Sequence, residues 1–388
     1  MSKKLMQSLV IGAGFPLTQL AILLYTPILP LLAKVFHVDP SVILTTPSVV
    51  LVGYLIGHLV WGTGSDYIGR RPALLIGLCV FILSAVFAGL STQLSFFWIF
   101  SGVMGFSAAT FTSVGNAFMV DIYGKQKAVK AIAYIGIAMA TTPVIVPILG
   151  VALYKGFGWQ SIYYFIAAYA FIMLLFVLGS VPRKLCVKEV LPTHGLLKGY
   201  RLHLSNKAFI KNVLVLALIF GVFVTSIAML PYVYLHYLNV SKAQFSILGL
   251  CIILPSPFLA TLAKNRVEKL GTRKLIQIST YLSLTGAFML VILFSLHSHI
   301  ITLISIALLL VFSSVGIGLS MCKAATMASV QNNVGAASSL MKFIQTGGAV
   351  ILSGINAHFY HHGGMISFAV ILFVSSILLV FAARRPCR

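Results

Sequence analysis

An all-α membrane protein of twelve transmembrane helices in two six-helix bundles is what this sequence predicts. Three observations carry the prediction: the chain is strongly apolar, it has almost no acids, and its bases fall on one side of its apolar runs. Of 388 residues, 60% are hydrophobic and 8% charged, where a soluble domain holds about 25% charged residues. Only five residues are acidic, and none lies inside an apolar run. A helix needs ~20 residues to cross ~30 Å of hydrocarbon, and the runs meet that length.

The run 8–33 follows Lys3 and Lys4, and Arg70 and Arg71 separate 42–62 from 73–91. Next come 96–119 and 131–154, flanking Lys125, Lys127 and Lys130, and then 160–181. A polar stretch rich in bases, 183–210, leads to a second set: 211–235, 244–263, 275–296, 300–329, 334–357 and 365–383. The cluster Lys264 to Lys274 lies within that set, and Arg384, Arg385 and Arg388 follow it. About 22 of the 27 Lys and Arg thus collect in alternate loops, while the opposite loops hold Lys34, Lys155 and Lys242. By the positive-inside rule, both termini and the central stretch face the cytoplasm of a multi-pass protein, expected in a bacterial inner membrane.

A formal charge of +22 would suggest nucleic acid in a soluble protein. Here the charge sits at helix ends, where orientation and anionic headgroups account for it, so the expected partners are the lipid bilayer and a small-molecule substrate, not nucleic acid. The apolar stretch after Lys4 is too long for a cleaved signal and lacks a clean cleavage site. Cys79, Cys186, Cys251, Cys322 and Cys387 form no CxxC pair, which argues against disulfides and metal sites. No cofactor is expected. An enzyme would need an embedded cluster of acids, histidines or cysteines, and a channel has no need of the duplicated loop described next.

Six runs precede 183–210 and six follow, so the chain divides into residues 1–182, a cytoplasmic linker 183–210, and residues 211–388. The loop after the second run of each half carries a related pattern. Asp66-Tyr67-Ile68-Gly69-Arg70-Arg71 in the first matches Glu268-Lys269-Leu270-Gly271-Thr272-Arg273 in the second. Such a repeat implies duplication of a six-helix unit, a design common among secondary transporters.

The segment Gly62 to Leu75, GTGSDYIGRRPALL, resembles the helix 2–3 signature of the major facilitator superfamily. Several motifs are similar to the bicyclomycin-resistance branch of its drug:proton antiporters. They are Tyr25-x-Pro27-x-x-Pro30, Asn116-Ala117 with Asp121-Ile122-Tyr123, Pro143-x-x-x-Pro147-x-x-Gly150, and Ala337-Ser338-Ser339-Leu340. The resemblance implies two bundles around a central cavity, working by alternating access as a monomer. It also implies a latch: Asp66 caps the start of helix 11 near Val334, where the helix dipole favours a carboxylate, and Arg70 pairs with Asp121. Gly62, Gly69 and Arg71 complete it, with glycine allowing a close helix approach and a tight turn. Pro143 and Pro147 kink helix 5, which with Gly150 forms a gate element or a plain packing bend. The family's next glycine is Val151 here.

Relatives hold an acid in helix 1 and an arginine in helix 4. The aligned residues here are Leu23 and Ser101, and no other span supplies an acid. Protons therefore stay open as the coupling ion. His58 is one group inside a span able to titrate near neutrality, and a neutral hydrogen-bonded histidine is its plainer reading. Loop histidines such as His361 and His362 read as solvated. Lys323 and Lys342 lie within spans, about 10–13 Å from the loop at 330–334 at 1.5 Å per residue. Such a charge needs water, a partner or a ligand, or snorkelling to the surface. Gln19, Tyr25, His58, Asn116, Thr141, Lys323, Lys342 and Gln345 are the candidates for the cavity wall. The expected function is secondary transport of a small organic solute, with drug or metabolite efflux first. The alternative is an organic anion such as a carboxylate metabolite or siderophore, moved by an importer or uniporter, because two lysines replace the acid.

Overall fold

The computed structural model describes residues 3–43, 45–182, 196–330 and 334–384. The side chains of some residues inside these ranges lie outside the description, including Asp66, 124–141, Pro143, Pro147, His361 and His362. Most of the expected linker, 183–195, is outside it as well. Among the described residues the chain is helical throughout, and ten helices are long and apolar enough to cross a membrane. Hydrocarbon offers backbone amides and carbonyls no partner, so a spanning chain has to bond them internally, and a helix does so within one segment.

The ten include the expected runs except two. The run 131–154 has its first half among the undescribed side chains, and 334–357 is diluted by Gly, Ser, Lys and Gln. The leading run, expected as one span over 8–33, gives one candidate span, Met6–Ile28, built from short helical segments. It forms α1 (Lys3–Gly14), α2 (Pro16–Leu23), a 3₁₀ turn (Thr26–Ile28) and α3 (Leu29–Val35). Pro16 and Pro27 explain the breaks, because each lacks the N–H that would continue the ladder. The short α4 (Pro40–Ile43) leads into α5 (Thr46–Ile68), α6 (Arg70–Leu90), α7 (Leu94–Phe157) and α8 (Gln160–Ser180).

The 64 residues of α7 cover two expected spans. Thr18 Oγ1 donates to the Ala108 carbonyl at 3.3 Å, while the backbone of Leu24 lies against Gly150. Thr18 and Leu24 are six residues apart, yet a straight helix would put Gly150 about 63 Å beyond Ala108 at ~1.5 Å per residue. The arms on either side of 124–141 therefore run beside the same helix in opposite directions, as two separate spans would.

The remaining helices are α9 (Leu196–Leu204), α10 (Lys207–Pro231), α11 (Lys242–Ile253), α12 (Pro255–Leu270), α13 (Thr272–Ser295), α14 (Ile301–Ala328) and α15 (Val334–Arg384). A π-helical turn, Tyr232–Tyr237, extends α10. Gly364 at φ 55° breaks α15 between the last two expected spans. Asn206 caps α10, its Oδ1 accepting from the amides of Ala208 and Phe209 at 3.1 Å, as a good N-cap residue does.

The chain forms two compact units, residues 1–199 with 338–343, and residues 200–337 with 344–388. In the first, α7 packs against α2, α5 and α6; in the second, α14 packs against α10, α12 and α13. Counted by spans, the fourth helix of each half is the hub that meets the first three. The duplicated loop is duplicated in backbone too. Gly69 (φ 95°, ψ 153°) joins α5 to α6, and Gly271 (φ 76°, ψ 149°) joins α12 to α13. That region of φ/ψ space is open to glycine almost alone.

Gly69→Ala and Gly271→Ala should each cost about 1–3 kcal/mol of stability through backbone strain, read as a lower melting temperature of the purified protein. Gly64→Ala is the control. Gly64 is helical and a Cβ there meets nothing within 4 Å, so no loss is expected.

Candidate functional site

The latch candidates gather at one end of the first unit. Arg70 opens α6 directly after the Gly69 turn, and Asp121 closes the first arm of α7. Arg70 Nε donates to Asp121 Oδ2 at 3.1 Å, and Arg70 Nη1 donates to Ser65 Oγ at 2.6 Å. The fork of the guanidinium suits this double task, and the pair is largely withdrawn from solvent, at 13% and 16% exposure. Arg71 Nη2 donates to the Leu178 carbonyl at 2.8 Å, and Gln7 Nε2 donates to the Ser180 carbonyl at 3.1 Å. Ser8 Oγ donates to Tyr123 Oη at 2.7 Å. One layer of polar contacts thus ties α1, α5, α6, α7 and α8 together at this end. The side chain of Asp66 lies outside the described residues.

Residues 338–343 of α15 belong to the first unit, and Gly62 shows how. A Cβ at Gly62 would overlap Ser339 Oγ, so only glycine lets α5 and this segment approach so closely. Ser339 and Lys342 come from the run expected as helix 11.

His58 is fully buried. Its Nδ1 shares a 2.7 Å hydrogen bond with Ser113 Oγ, and its ring meets Tyr54 edge-on at 4.3 Å between centroids. Tyr54 Oη donates to Thr112 Oγ1 at 3.1 Å. Nε2 of His58 and Oδ1 of Asn116 are buried with no hydrogen-bond partner among the described residues, while Asn116 Nδ2 donates to the Thr112 carbonyl at 2.6 Å. The geometry is that of a hydrogen-bonded core histidine on one ring nitrogen and an unengaged group on the other. Sequence reasoning named His58 and Asn116 but missed Ser113, Tyr54 and Thr112. Their spacing held the signal: 54 and 58 share a face of α5, and 112, 113 and 116 share a face of α7.

The other cavity candidates are distributed over both units. Tyr25 is fully buried, stacked on Tyr163 at 6.2 Å. The turn that ends α2 puts it inside the core of the first unit and not on an open wall. Gln19 is half-buried in α2, and Thr141 is outside the described side chains. Gln345 is buried in α15 within the second unit. Lys323, half-buried on α14, also belongs to the second unit, whereas Lys342 belongs to the first. The expected lysine pair is therefore split between the two units. In the helix 5 motif Gly150 is buried against Leu24, while the rings of Pro143 and Pro147 are not described. Among the described residues no group of His, Cys, Asp and Glu is placed to hold a metal.

Arg70→Ala and Asp121→Asn should each destabilise the first unit, and a double-mutant cycle in thermal unfolding should give a coupling of about 1–3 kcal/mol, the range for hydrogen bonds to charged groups. Arg70→Lys should recover only part of it, since an ammonium is a point charge and not a fork.

The chain is 24% identical over 352 residues to the multidrug resistance protein MdtL of Salmonella typhi, covering 86% of this chain and 84% of that protein. It is 22% identical over 271 residues to a bicyclomycin resistance protein homolog of Haemophilus influenzae, covering 69% and 68%. The proton:xylose symporter XylE superposes with a TM-score of 0.76 at 16% identity over 98% of this chain and 95% of that one, which is a likeness of fold. The profile of the Major Facilitator Superfamily matches residues 12–353. With twelve apolar runs, a duplicated Gly-hinged loop and the Arg70–Asp121 pair, the chain belongs to the major facilitator superfamily of membrane transporters.

Proposed function

We propose that this transporter exports drugs or related small organic metabolites from the cytoplasm by alternating access between its two halves, 1–182 and 211–388, joined by the linker 183–210. The observation that carries the reading is the latch end of the first unit, where the Arg70–Asp121 pair and the Gly62–Ser339 contact occur together. Relatives named for multidrug and bicyclomycin resistance support efflux as the direction. The one-sided bases support a latch on the cytoplasmic side of an inner-membrane protein with both termini inside. Closing that side would leave the outward-open state. Efflux stands ahead of the anion alternative because the relatives quoted above are named for drug resistance.

Coupling differs from that of the relatives the sequence resembles. Leu23 and Ser101 stand where they carry charge, and no acid lies inside an apolar run of the sequence. His58 is the group we assign to proton coupling if protons drive transport. It is buried, and one ring nitrogen is unengaged.

Everted membrane vesicles or proteoliposomes supplied with a lipophilic cation such as ethidium, with and without a pH gradient, test this. Uptake into everted vesicles is expected. Gly62→Val should overpack the latch by about 1–3 kcal/mol and lower transport by about 5–150-fold. His58→Gln should abolish the pH dependence. Failure to move lipophilic cations, with transport of carboxylates by the folded protein, would overturn the efflux reading.

A further inference from the structure

A second cluster lies wholly within the second unit. α10 and α15 run side by side in a fixed register. A Cβ on Gly348 would come within 2.7 Å of Ala217 Cβ, and one on Gly221 within 3.1 Å of Leu352 Cβ. Both contacts have the same offset in sequence, so the two helices are parallel and pack at the distance that glycine permits. One turn further along the same faces, the register sets Thr225 opposite Asn356, with Ser226 beside it.

These side chains are unlike their neighbours. Helical serines and threonines in hydrocarbon usually bond back to the carbonyl three or four residues earlier, and others in this unit do. Thr326 donates to Cys322, Ser314 to Val311, Ser353 to Ala349 and Ser375 to Ile371. Thr225 Oγ1, Ser226 Oγ and Asn356 Oδ1 have no hydrogen-bond partner among the described residues, although the first two residues are fully buried and the third is 5% exposed. Three orphaned oxygens on two touching helices are costly in a protein interior unless something satisfies them.

The backbone adds a fourth oxygen. Pro231 has no N–H for the carbonyl of Ile227, and the next amide, that of Tyr232, bonds to Met229 instead. The carbonyl of Ile227 is therefore released from its helical bond, one residue from Ser226. The π-helical turn Tyr232–Tyr237 follows at once, and such interruptions tend to mark functional sites. Released backbone carbonyls at mid-membrane serve as cation ligands in other transporter folds.

We propose that Thr225 Oγ1, Ser226 Oγ, Asn356 Oδ1 and the Ile227 carbonyl form a binding site for a small monovalent cation, sodium. The ligand set is all oxygen, which selects a hard cation. It is also uncharged, and neither α10 nor α15 contains an acid to offset a divalent charge. The close approach at Gly221 and Gly348 keeps the space between the helices narrow, which favours sodium over potassium. A role for the ion in driving transport rests on the efflux reading above; the site itself does not.

The test uses the full-length protein in nanodiscs, with thermal unfolding followed in sodium, potassium and N-methylglucamine chlorides at equal ionic strength. Sodium is expected to raise the melting temperature saturably, and potassium to do so weakly. Asn356→Ala and Ser226→Ala should each weaken the apparent sodium affinity at least about tenfold, and Thr225→Ser should preserve it. Asn356→Asp, which keeps the oxygen and adds charge, should bind sodium more tightly and begin to respond to calcium. Direct retention of radioactive sodium by the unmutated protein gives a reading that does not depend on a variant folding. Equal melting in the three salts with no retained sodium overturns the proposal, as does a sodium shift that survives in Asn356→Ala. Neither readout involves a transported solute, so this site and the efflux reading fail separately.

Discussion

Hydrocarbon supplies no hydrogen bonds and tolerates little charge, and the architecture of this transporter follows from how the chain meets those two demands. Backbone groups are satisfied inside helices. Side-chain hydroxyls mostly bond back to their own turn, as Thr63 does to Leu59 and Ser107 to Val103. Acids are confined to the ends of spans. With so few polar groups in the membrane, each one that is not satisfied locally gains meaning. Among the described residues these groups include His58, Asn116, Tyr25, Ser101 and Tyr163 in the first unit, and Thr225, Ser226, Gln345 and Asn356 in the second.

The same demand explains why glycine contacts matter so much. Helices in lipid gain no hydrophobic drive by associating, so they rely on close packing of small residues. Gly62 against Ser339 joins part of α15 to the first unit, and Gly221 with Gly348 sets the register of α10 on α15. At Gly69 and Gly271 the need is different. There glycine supplies a backbone conformation that lets one helix end and the next begin within a single residue. The Arg70–Asp121 pair then sits on the rigid platform this turn provides, with Ser65 holding the other side of the guanidinium.

Loss of the helix 1 acid and helix 4 arginine leaves a chain with the latch of its superfamily but without the charges its relatives by resemblance use. Tyr25 and Ser101 are both buried with hydroxyls lacking a described partner, so the region around those positions has become a neutral core.

The membrane class, the twelve runs, the duplicated loop and the superfamily were all legible in the sequence, because apolar length, loop charge and glycine turns are local properties written residue by residue. Arg70 with Asp121 was legible too, through a resemblance that fixed their partnership. What the sequence could not settle was which face each polar residue presents. Tyr25 read as a cavity residue and proved to be core, since the proline-broken run around it turns its ring onto Tyr163. Lys323 and Lys342 read as a pair, and the structure assigns them to different units, because residues 338–343 of α15 belong to the first unit while the rest of that helix belongs to the second. Thr225, Ser226 and Asn356 drew no notice at all. Their significance depends on a helix register set by two distant glycines, and on a proline that frees one carbonyl, and only packing in three dimensions brings those facts to one place.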